Sequence, residues 1–308
     1  MTLFEFNKLF TNEQDCINHF LKLHYPTGLA CPKCGKQERV YREKIKPKMA
    51  TCNNCISHFS IFKNTIFEKS DTDLRIWFYA IMQMLNAKKG ISAKQLQRDT
   101  GVTYKTAWRI LHKIREAMGN TNNDKLFEAI VEIDETYIGG KPRKQNKNKD
   151  DDNPPTVAPP KNKRGRGTKK TPVVGVKERN SKQVYAVVAM PDKNGKKLSG
   201  KQLFNILDKV CKADTTVITD DFRSYNILDK QNGPFIHLKV NHSIGQFSDG
   251  KGTHTNGIES FWSVLKRGIY GMYHSVSLKY MQKYINEFCF RANNRENKNA
   301  FNTLLGLC

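Results

Sequence analysis

Two Cys-x-x-Cys pairs limit the structure of this chain more than any other feature. They read CPKC, with Cys31 and Cys34, and CNNC, with Cys52 and Cys55, and 17 residues separate them. Each pair brings two thiolates to one ion, and two pairs complete a tetrahedral shell of the structural zinc-ribbon type. A redox-active pair is the alternative, and the presence of a second pair argues against it. We therefore predict one structural Zn²⁺ in a ribbon over residues 29–62 that folds only with its metal.

The net charge points to a polyanionic partner. The 308 residues carry 52 Lys+Arg against 29 Asp+Glu, a formal charge of +23. Nucleic acid is the first candidate for such an excess, and a membrane surface is the alternative. We find no apolar run of about 18 residues and no signal-peptide core in residues 1–15. We expect a cytoplasmic protein, nucleoid-associated in a bacterium and nuclear in a eukaryote, that makes no use of a membrane.

Two helical segments flank the ribbon. Residues 1–28 predict a short N-terminal helical segment, and residues 71–120 predict a helix-turn-helix DNA-binding domain. Within it, ISAKQLQRDTGVTYKTAWRILHKIREAM gives two helices around a turn at Gly101. A plain helical hairpin would show the same pattern, and the positive charge favours DNA recognition. The outward residues expected to face the major groove are Thr103, Tyr104, Lys105, Thr106 and Arg109.

A strand with an acidic residue follows. The stretch LFEAIVEIDETYI, residues 126–138, places Glu132 and Asp134 on one face of a strand and Glu135 on the other. An aspartate in an apolar strand is costly unless a cation or a donor meets it, so Asp134 is a functional candidate. Residues 141–171 are rich in Lys, Asn, Pro and Gly. They predict a basic loop that is disordered or ordered by binding, either a DNA clamp or an inert linker.

Two later segments carry further polar residues next to apolar ones. TTVITDDF predicts a buried strand that ends on Asp220. HTNGIESFWSVLKRGI, residues 254–269, predicts a helix whose apolar stripe is Ile258, Phe261, Leu265 and Ile269. Trp262 is predicted to be a core residue, and stacking on a base is the alternative. A second face carries Asn256, Glu259, Ser263 and Lys266. Glu259 and Lys266 lie two turns apart and form either a plain salt bridge or part of a site; the two aspartates favour a site.

The order of these elements predicts the fold class. From residue 126 the chain runs strand, strand, strand, helix, strand, helix, strand, helix, helix. In a ribonuclease H-like fold the first and fourth strands are parallel neighbours, so Asp134 and Asp220 would meet and the late helix would add Glu259. We predict a multi-domain α+β chain with a zinc ribbon, a helix-turn-helix and a ribonuclease H-like α/β catalytic domain over residues 126–308. Three carboxylates would hold two Mg²⁺ or Mn²⁺ ions for in-line displacement at phosphorus.

Several motifs together resemble one family. They are CPKCG…CNNC, NTIFEKS, KKGISAKQL…YKTAWRILHKIR, VEIDETYIGGK, ITDDFRSY and HTNGIESFWSVLKRGI…NEFCFRANNR, and they cover nearly the whole chain. In these motifs the chain resembles the zinc-ribbon insertion-sequence transposases of the ISXO type, which are related to the eukaryotic Merlin elements.

The resemblance implies a DDE-type DNA transposase. Such an enzyme binds the terminal inverted repeats of its element and, as a dimer on DNA, catalyses metal-dependent cleavage and strand transfer into target DNA. The carboxylate triad would fall on Asp134, Asp220 and Glu259. Lys266 would be the basic residue of the site, and Lys266 and Arg267 would contact DNA.

Two ligands and the activity itself have alternatives. The third ligand varies between Glu and Asn in the family, so Asn256 is the second choice after Glu259. The family pattern has Gly after the second aspartate, where this chain has Asp221; we prefer Asp220 because it ends the strand. A non-catalytic regulator using the ribbon and helix-turn-helix alone is the main functional alternative, and a nuclease or resolvase that cuts without joining is the other. The acidic trio favours a transposase.

Overall fold

The computed structural model describes residues 1–120, 127–139, 168, 170–191, 198–229, 233–240 and 254–308. Its contacts divide the chain into two compact units, Met1–Asn122 with Asn286–Cys308 and Asn123–Ile285. The division differs from the predicted one, in which residues 126–308 form a single domain. The predicted basic loop, apart from Thr168, Lys170 and Thr171, lies outside the described residues.

The first unit combines a small sheet with helices. Its strands β1 (Val40–Arg42), β2 (Met49–Cys52) and β3 (Ser57–Ser60) form an antiparallel sheet in that order. Its helices are α1 (Leu3–Leu9), α2 (Glu13–His24), α3 (Leu74–Asn86), α4 (Ala93–Thr100), α5 (Tyr104–Ala117) and α9 (Ala300–Leu307). Thr2 and Asn12 start α1 and α2 with reciprocal capping boxes, which satisfy the first backbone N–H groups of each helix.

The C-terminal residues belong to this unit through packing and one buried ion pair. The ring of Phe301 on α9 packs against Phe10 and Phe78, at centroid distances of 5.8 and 5.6 Å. Arg115 Nε donates to Glu287 Oε2 at 2.7 Å, and both side chains are buried. A buried charge of this kind is tolerated because its partner is also buried and hydrogen-bonded. Neither contact is visible in the local pattern of the sequence.

Helices α4 and α5 form as the sequence predicts. Ser92 caps α4 by accepting a hydrogen bond from Gln95 N, and Thr103 caps α5 by accepting one from Thr106 N. Gly101 ends α4 with a φ of 73°, a left-handed conformation that suits glycine. The inward face of α5 is buried at Ala107, Ile110, Leu111 and Ile114.

The second unit is a mixed sheet with helices on both faces. Its strands are β4 (Ile130–Ile138), β5 (Thr171–Glu178), β6 (Val184–Val188), β7 (Thr215–Asp220) and β8 (Phe235–Val240). Their order is β6-β5-β4-β7-β8, with β4–β7 and β7–β8 parallel and the other pairs antiparallel. The helical segments are α6 (Gly200–Val210), a 3₁₀ helix (Arg223–Asp229), α7 (Asn256–Arg267), a π-helical turn (Gly268–Tyr273) and the start of α8 (Leu278–Asn293).

Alternation along β4 separates two layers. Val131 and Ile133 pack with α6 and the 3₁₀ helix in one apolar cluster, which includes Leu203, Leu207 and Tyr225. Residues at the alternate positions, Glu132 and Asp134, face α7 instead. The predicted apolar stripe of α7 is buried at Ile258, Phe261, Leu265 and Ile269. Among the described residues, none of the helices combines the length and apolar character needed to cross a bilayer.

Candidate functional site

The four cysteines of the ribbon converge on one point. Their sulfur atoms all lie within 4.8 Å of one another. The Cys31–Cys55 and Cys34–Cys52 sulfur distances are 3.6 and 3.7 Å. A tetrahedral Zn²⁺ with Zn–S bonds of about 2.3 Å sets its sulfurs ~3.8 Å apart. The donor set therefore fits zinc in both chemistry and spacing.

The surroundings of Cys31 favour its thiolate. The Ser57 side chain lies 3.4 Å from Cys31 Sγ, and its hydrogen bond lowers the pKa of this thiol to about 6. Lys33 N–H also donates to the same sulfur at 3.4 Å. Because zinc binds the thiolate, these donors reduce the cost of removing the proton on metal binding.

In the second unit, β4 and β7 bring two aspartates to the same end of the sheet. The parallel pairing between the strands ends with Glu132 opposite Ile218. Asp134 and Asp220 each lie two residues beyond that pair, so their side chains point to the same face as Glu132. After burial and the charge of Glu135, the negative charge on Asp220 also contributes to the raised pKa of Asp134.

The carboxylate of Asp134 is buried and hydrogen-bonded. Burial, followed by the charge of the adjacent Glu135, raises its pKa to about 7. Trp262 Nε1 on α7 donates to Asp134 Oδ2 at 3.0 Å. Gly175 lies opposite Asp134 on β5, and a Cβ at that position would come within 2.6 Å of the Trp262 ring. The glycine therefore makes room for the indole that orients the carboxylate.

Asp220 and Asp221 differ in environment. Asp220 is the last residue of β7, is partly buried, and accepts a hydrogen bond from Phe222 N at 3.1 Å. Asp221 follows the strand and is exposed. Asp220 also contributes to the raised pKa of Asp134. Both observations favour Asp220 over its neighbour.

Glu259 lies in the first turn of α7, the helix that covers Asp134. Its side chain is exposed, and Thr255 Oγ1 donates to Glu259 Oε1 at 3.0 Å. Asn256 is the first residue of the same helix and is also exposed. Lys266 and Arg267, in the last turn of α7, are exposed as well, and Arg267 Nε donates to Ser263 O at 3.1 Å.

The carboxylates are spaced more widely than the cysteines. Within the described part of the chain, the cysteine set is the one group of three or more His, Cys, Asp or Glu residues whose ligand atoms all lie within 4.8 Å. Asp134, Asp220 and Glu259 therefore do not share a single tight point. Two catalytic metal ions are typically about 3.5–4 Å apart, so the outer ligands of such a pair need no close mutual approach. The wider spacing is compatible with a two-ion site and unlike a closed one-ion site.

The residues predicted to read DNA lie at the start of α5. Thr103, Tyr104, Lys105 and Arg109 are exposed and Thr106 is partly buried. Lys94 Nζ on α4 lies 5.1 Å from the centre of the Tyr104 ring. Arg109 donates to Ser70 Oγ at 3.1 Å. The hydroxyl groups of Thr103 and Thr106 form a hydrogen bond with each other at 3.0 Å.

Two buried acidic contacts next to Asp134 escape the sequence pattern. Glu132 is 1% exposed and bonds Arg179 Nε and Ile258 N, each at 2.9 Å. On the opposite face, Glu135 accepts from the buried hydroxyl of Tyr225 at 3.0 Å. The sequence shows that acidic residues flank Asp134 on both sides. It does not show their partners, which come from segments distant in sequence.

Comparison with known proteins identifies the family. Residues 126–293 match the ISXO2-like transposase domain. The chain belongs to this transposase family. The match covers β4 to the end of α8 and therefore includes Asp134, Asp220 and Glu259.

Two relatives agree with this assignment. The chain is 27% identical over 306 residues to an uncharacterized protein in transposable element ISH50 of Halobacterium salinarum, covering 97% of both chains. It is 32% identical over 122 residues to an uncharacterized transposase-like protein of Haemophilus influenzae, covering 40% of this chain and 90% of that one. A pre-cleavage Mos1 transpososome aligns over 74% of this chain and 77% of the other at 11% identity, with a TM-score of 0.26.

Proposed function

We propose that this protein is a DNA transposase that binds the terminal inverted repeats of an insertion sequence and catalyses metal-dependent strand cleavage and strand transfer. One observation carries the proposal. Asp134 and Asp220 lie two residues beyond the last pair of a parallel ladder, on the face covered by the helix that holds Glu259. Two aspartates distant in sequence thus lie at one end of the sheet, under the helix that carries a third acidic residue.

The sheet topology supports a ribonuclease H-like domain. Three antiparallel strands in chain order, β4, β5 and β6, are extended by β7 and β8, which run parallel to β4. The first and fourth strands are neighbours, as the sequence predicts. The carboxyl end of that central pair is where ligands of open α/β sheets bind.

Asp134, Asp220 and Glu259 would hold the catalytic ions, with Asn256 as the alternative to Glu259. Their oxygens are the hard ligands that Mg²⁺ and Mn²⁺ prefer. When bound, two such ions activate the attacking water or 3′-hydroxyl and stabilise the leaving oxygen. Asp134 must first lose its proton, because its pKa near 7 leaves it about half protonated at neutral pH. Trp262 keeps its Oδ2 oriented during that change.

DNA would be held by the positive surfaces of the chain. Lys266 is exposed on α7, two turns from Glu259, and suits a phosphate next to the reacting one, with Arg267 beside it. In the first unit, α4 and α5, which are joined through Gly101, would form the helix-turn-helix, with Tyr104 and Lys105 at the exposed start of the second helix. The zinc-loaded ribbon would support the same recognition, and a dimer would bind the two ends.

The test is a cleavage and joining assay with the full-length, zinc-loaded protein and DNA carrying the inverted repeats that flank its reading frame. With Mg²⁺ or Mn²⁺ we expect nicks at the repeat ends and joining to target DNA. Asp134→Ala should abolish both while end binding in a gel-shift assay is unchanged. Binding without any cleavage by the wild-type protein would support a regulator instead, and cleavage without joining would support a nuclease.

A further inference from the structure

Glu132 is one of two acidic residues of β4, with Glu135, that the proposed chemistry leaves unused. Its side chain is 2% exposed, and it lies two residues before Asp134 on the same face of the strand. Burying a carboxylate costs several kcal/mol unless charges and donors compensate it. A residue at this position therefore needs specific partners, and the structure supplies them.

The partners of Glu132 come from two other elements. Oε1 accepts from Arg179 Nε at 2.9 Å, and Arg179 is the first residue after the end of β5. Oε2 accepts from Ile258 N at 2.9 Å, a backbone group in the first turn of α7. Arg179 also donates to His254 O, just before α7 begins. One carboxylate and one guanidinium thus tie α7 to the central strands.

The start of α7 is built to accept this contact. Thr255, at its N-cap position, makes no capping bond with its side chain, and its hydroxyl donates to Glu259 instead. Glu132 supplies the missing acceptor, and its negative charge is favourable at a helix N-terminus. A Cβ at Gly257 would lie 2.7 Å from Glu132 Oε2, so glycine permits the close approach. Lys177 Nζ donates to Gly257 O at 3.0 Å and holds the same turn.

We propose that Glu132 and Arg179 form a positioning pair that fixes the first turn of α7, and with it Glu259, relative to Asp134. Ile258, which Glu132 binds, directly precedes Glu259 in the chain. Strand β4 therefore provides both a metal ligand and the anchor for the helix that carries another. The inference rests on the proposed function, because the consequence of the pair is the affinity of the carboxylates for divalent ions.

The first measurement needs no catalysis. Hydrogen exchange of residues 256–262 is compared between the zinc-loaded wild type, Glu132→Gln and the matched control Glu178→Gln. Glu178 is also a buried strand glutamate, but it accepts from Glu128 N and lies opposite Val131 on the face of the sheet away from α7. Loss of a charge-assisted hydrogen bond should speed exchange of the Ile258 amide roughly ten-fold or more in Glu132→Gln alone. Unchanged exchange in Glu132→Gln would overturn the proposal.

The second measurement is Mn²⁺ affinity, from the electron paramagnetic resonance signal of free Mn²⁺. Loss of an outer partner of a metal site typically weakens affinity about 10–100-fold, and we expect the lower end for Glu132→Gln and no change for Glu178→Gln. Faster exchange with unchanged Mn²⁺ affinity would reduce the pair to a structural contact and overturn the positioning role. A wild type that binds no Mn²⁺ and cuts no DNA would refute the proposed function. The exchange result would still show whether Glu132 holds the first turn of α7.

A second variant covers the case in which Glu132→Gln fails to fold because Arg179 loses its counter-charge. Glu132→Gln/Arg179→Gln removes both charges and leaves two neutral amides. It should fold, as judged by its circular dichroism and thermal unfolding, and should show the same faster exchange and weaker Mn²⁺ binding. Wild-type exchange and wild-type affinity in a folded double variant would overturn the proposal.

Discussion

The two candidate metal sites of this chain are assembled in opposite ways. The four cysteine sulfurs lie within 4.8 Å of one another and come from a turn before β1 and from the end of β2 with its connection to β3. The three carboxylates come from β4, β7 and α7 and do not share such a point. A soft, closed site can be specified by local spacing, since each Cys-x-x-Cys turn presents two ligands by itself. A hard, open site depends on tertiary packing, because each ligand arrives on a different element.

Zinc removal should have the largest effect and tests the local site. A strong chelator, or Cys52→Ser, should unfold the ribbon, because zinc supplies about 10 kcal/mol or more to the folding of such small modules. Specific binding to the repeat ends should disappear with it. The measurements are zinc content by emission spectroscopy and end binding by gel shift. Cys289→Ser, at a cysteine outside the cluster, serves as the control and should keep both. Specific binding that survives complete zinc loss would break the comparison on this side.

The two neighbouring aspartates after β7 test the distributed site. Asp220→Asn should reduce cleavage more than about 100-fold, beyond the usual effect of losing an outer partner of a metal site. Asp221→Asn removes the same charge one residue further on, at an exposed position, and should stay within a few-fold of wild type. The measurement is the single-turnover cleavage rate at saturating Mn²⁺. The reverse ranking would move the ligand to Asp221.

Sequence reasoning predicted the parts of the molecule that depend on local pattern. The cysteine cluster follows from the spacing of two Cys-x-x-Cys pairs. The strand ending on Asp220 and the apolar stripe of α7 each follow from the pattern within one element. The central pairing of β4 with β7 was expected from element order and is present in the structure. The helix predicted after the fourth strand is present as a 3₁₀ helix, Arg223–Asp229. Apolar spacing over so few residues does not distinguish a 3₁₀ helix from an α-helix.

What the sequence did not reveal depends on partners from distant segments. Trp262 was predicted to be a core residue; it is buried, and it also donates to Asp134. This contact depends on Gly175 lying opposite Asp134 in the β4–β5 register, which no local pattern reports. The anchor formed by Glu132 has the same origin. Pairing registers, more than single residues, determine the surroundings of the carboxylates.

Trp262→Phe tests how far the distributed site depends on such contacts. The change keeps an aromatic ring over Gly175 and removes the hydrogen bond to Asp134 Oδ2. We expect Mn²⁺ affinity to fall about ten-fold, the scale of losing an outer hydrogen bond to a ligand. Trp77→Phe is the control, because Trp77 is also buried and donates its indole N–H to Ser70, far from the carboxylates in sequence. Equal affinity in the two variants would show that the indole only fills space.

The smallest expected effect is the pH dependence of Mn²⁺ binding at the carboxylate site. Burial raises the pKa of Asp134 to about 7, so below that pH the proton competes with the metal for this carboxylate. Mn²⁺ affinity should therefore rise with pH, about five-fold between pH 6 and pH 7 and less than two-fold between pH 7 and pH 8, as expected for one titrating ligand. Because the charge of Glu135 also raises the pKa of Asp134, Glu135→Gln should move the midpoint of this rise to lower pH. The measurement is Mn²⁺ titration of the zinc-loaded protein at each pH. An affinity that is flat or falls between pH 6 and pH 7 would mean that Asp134 binds no ion there, and the hard site would then have to be sought without it.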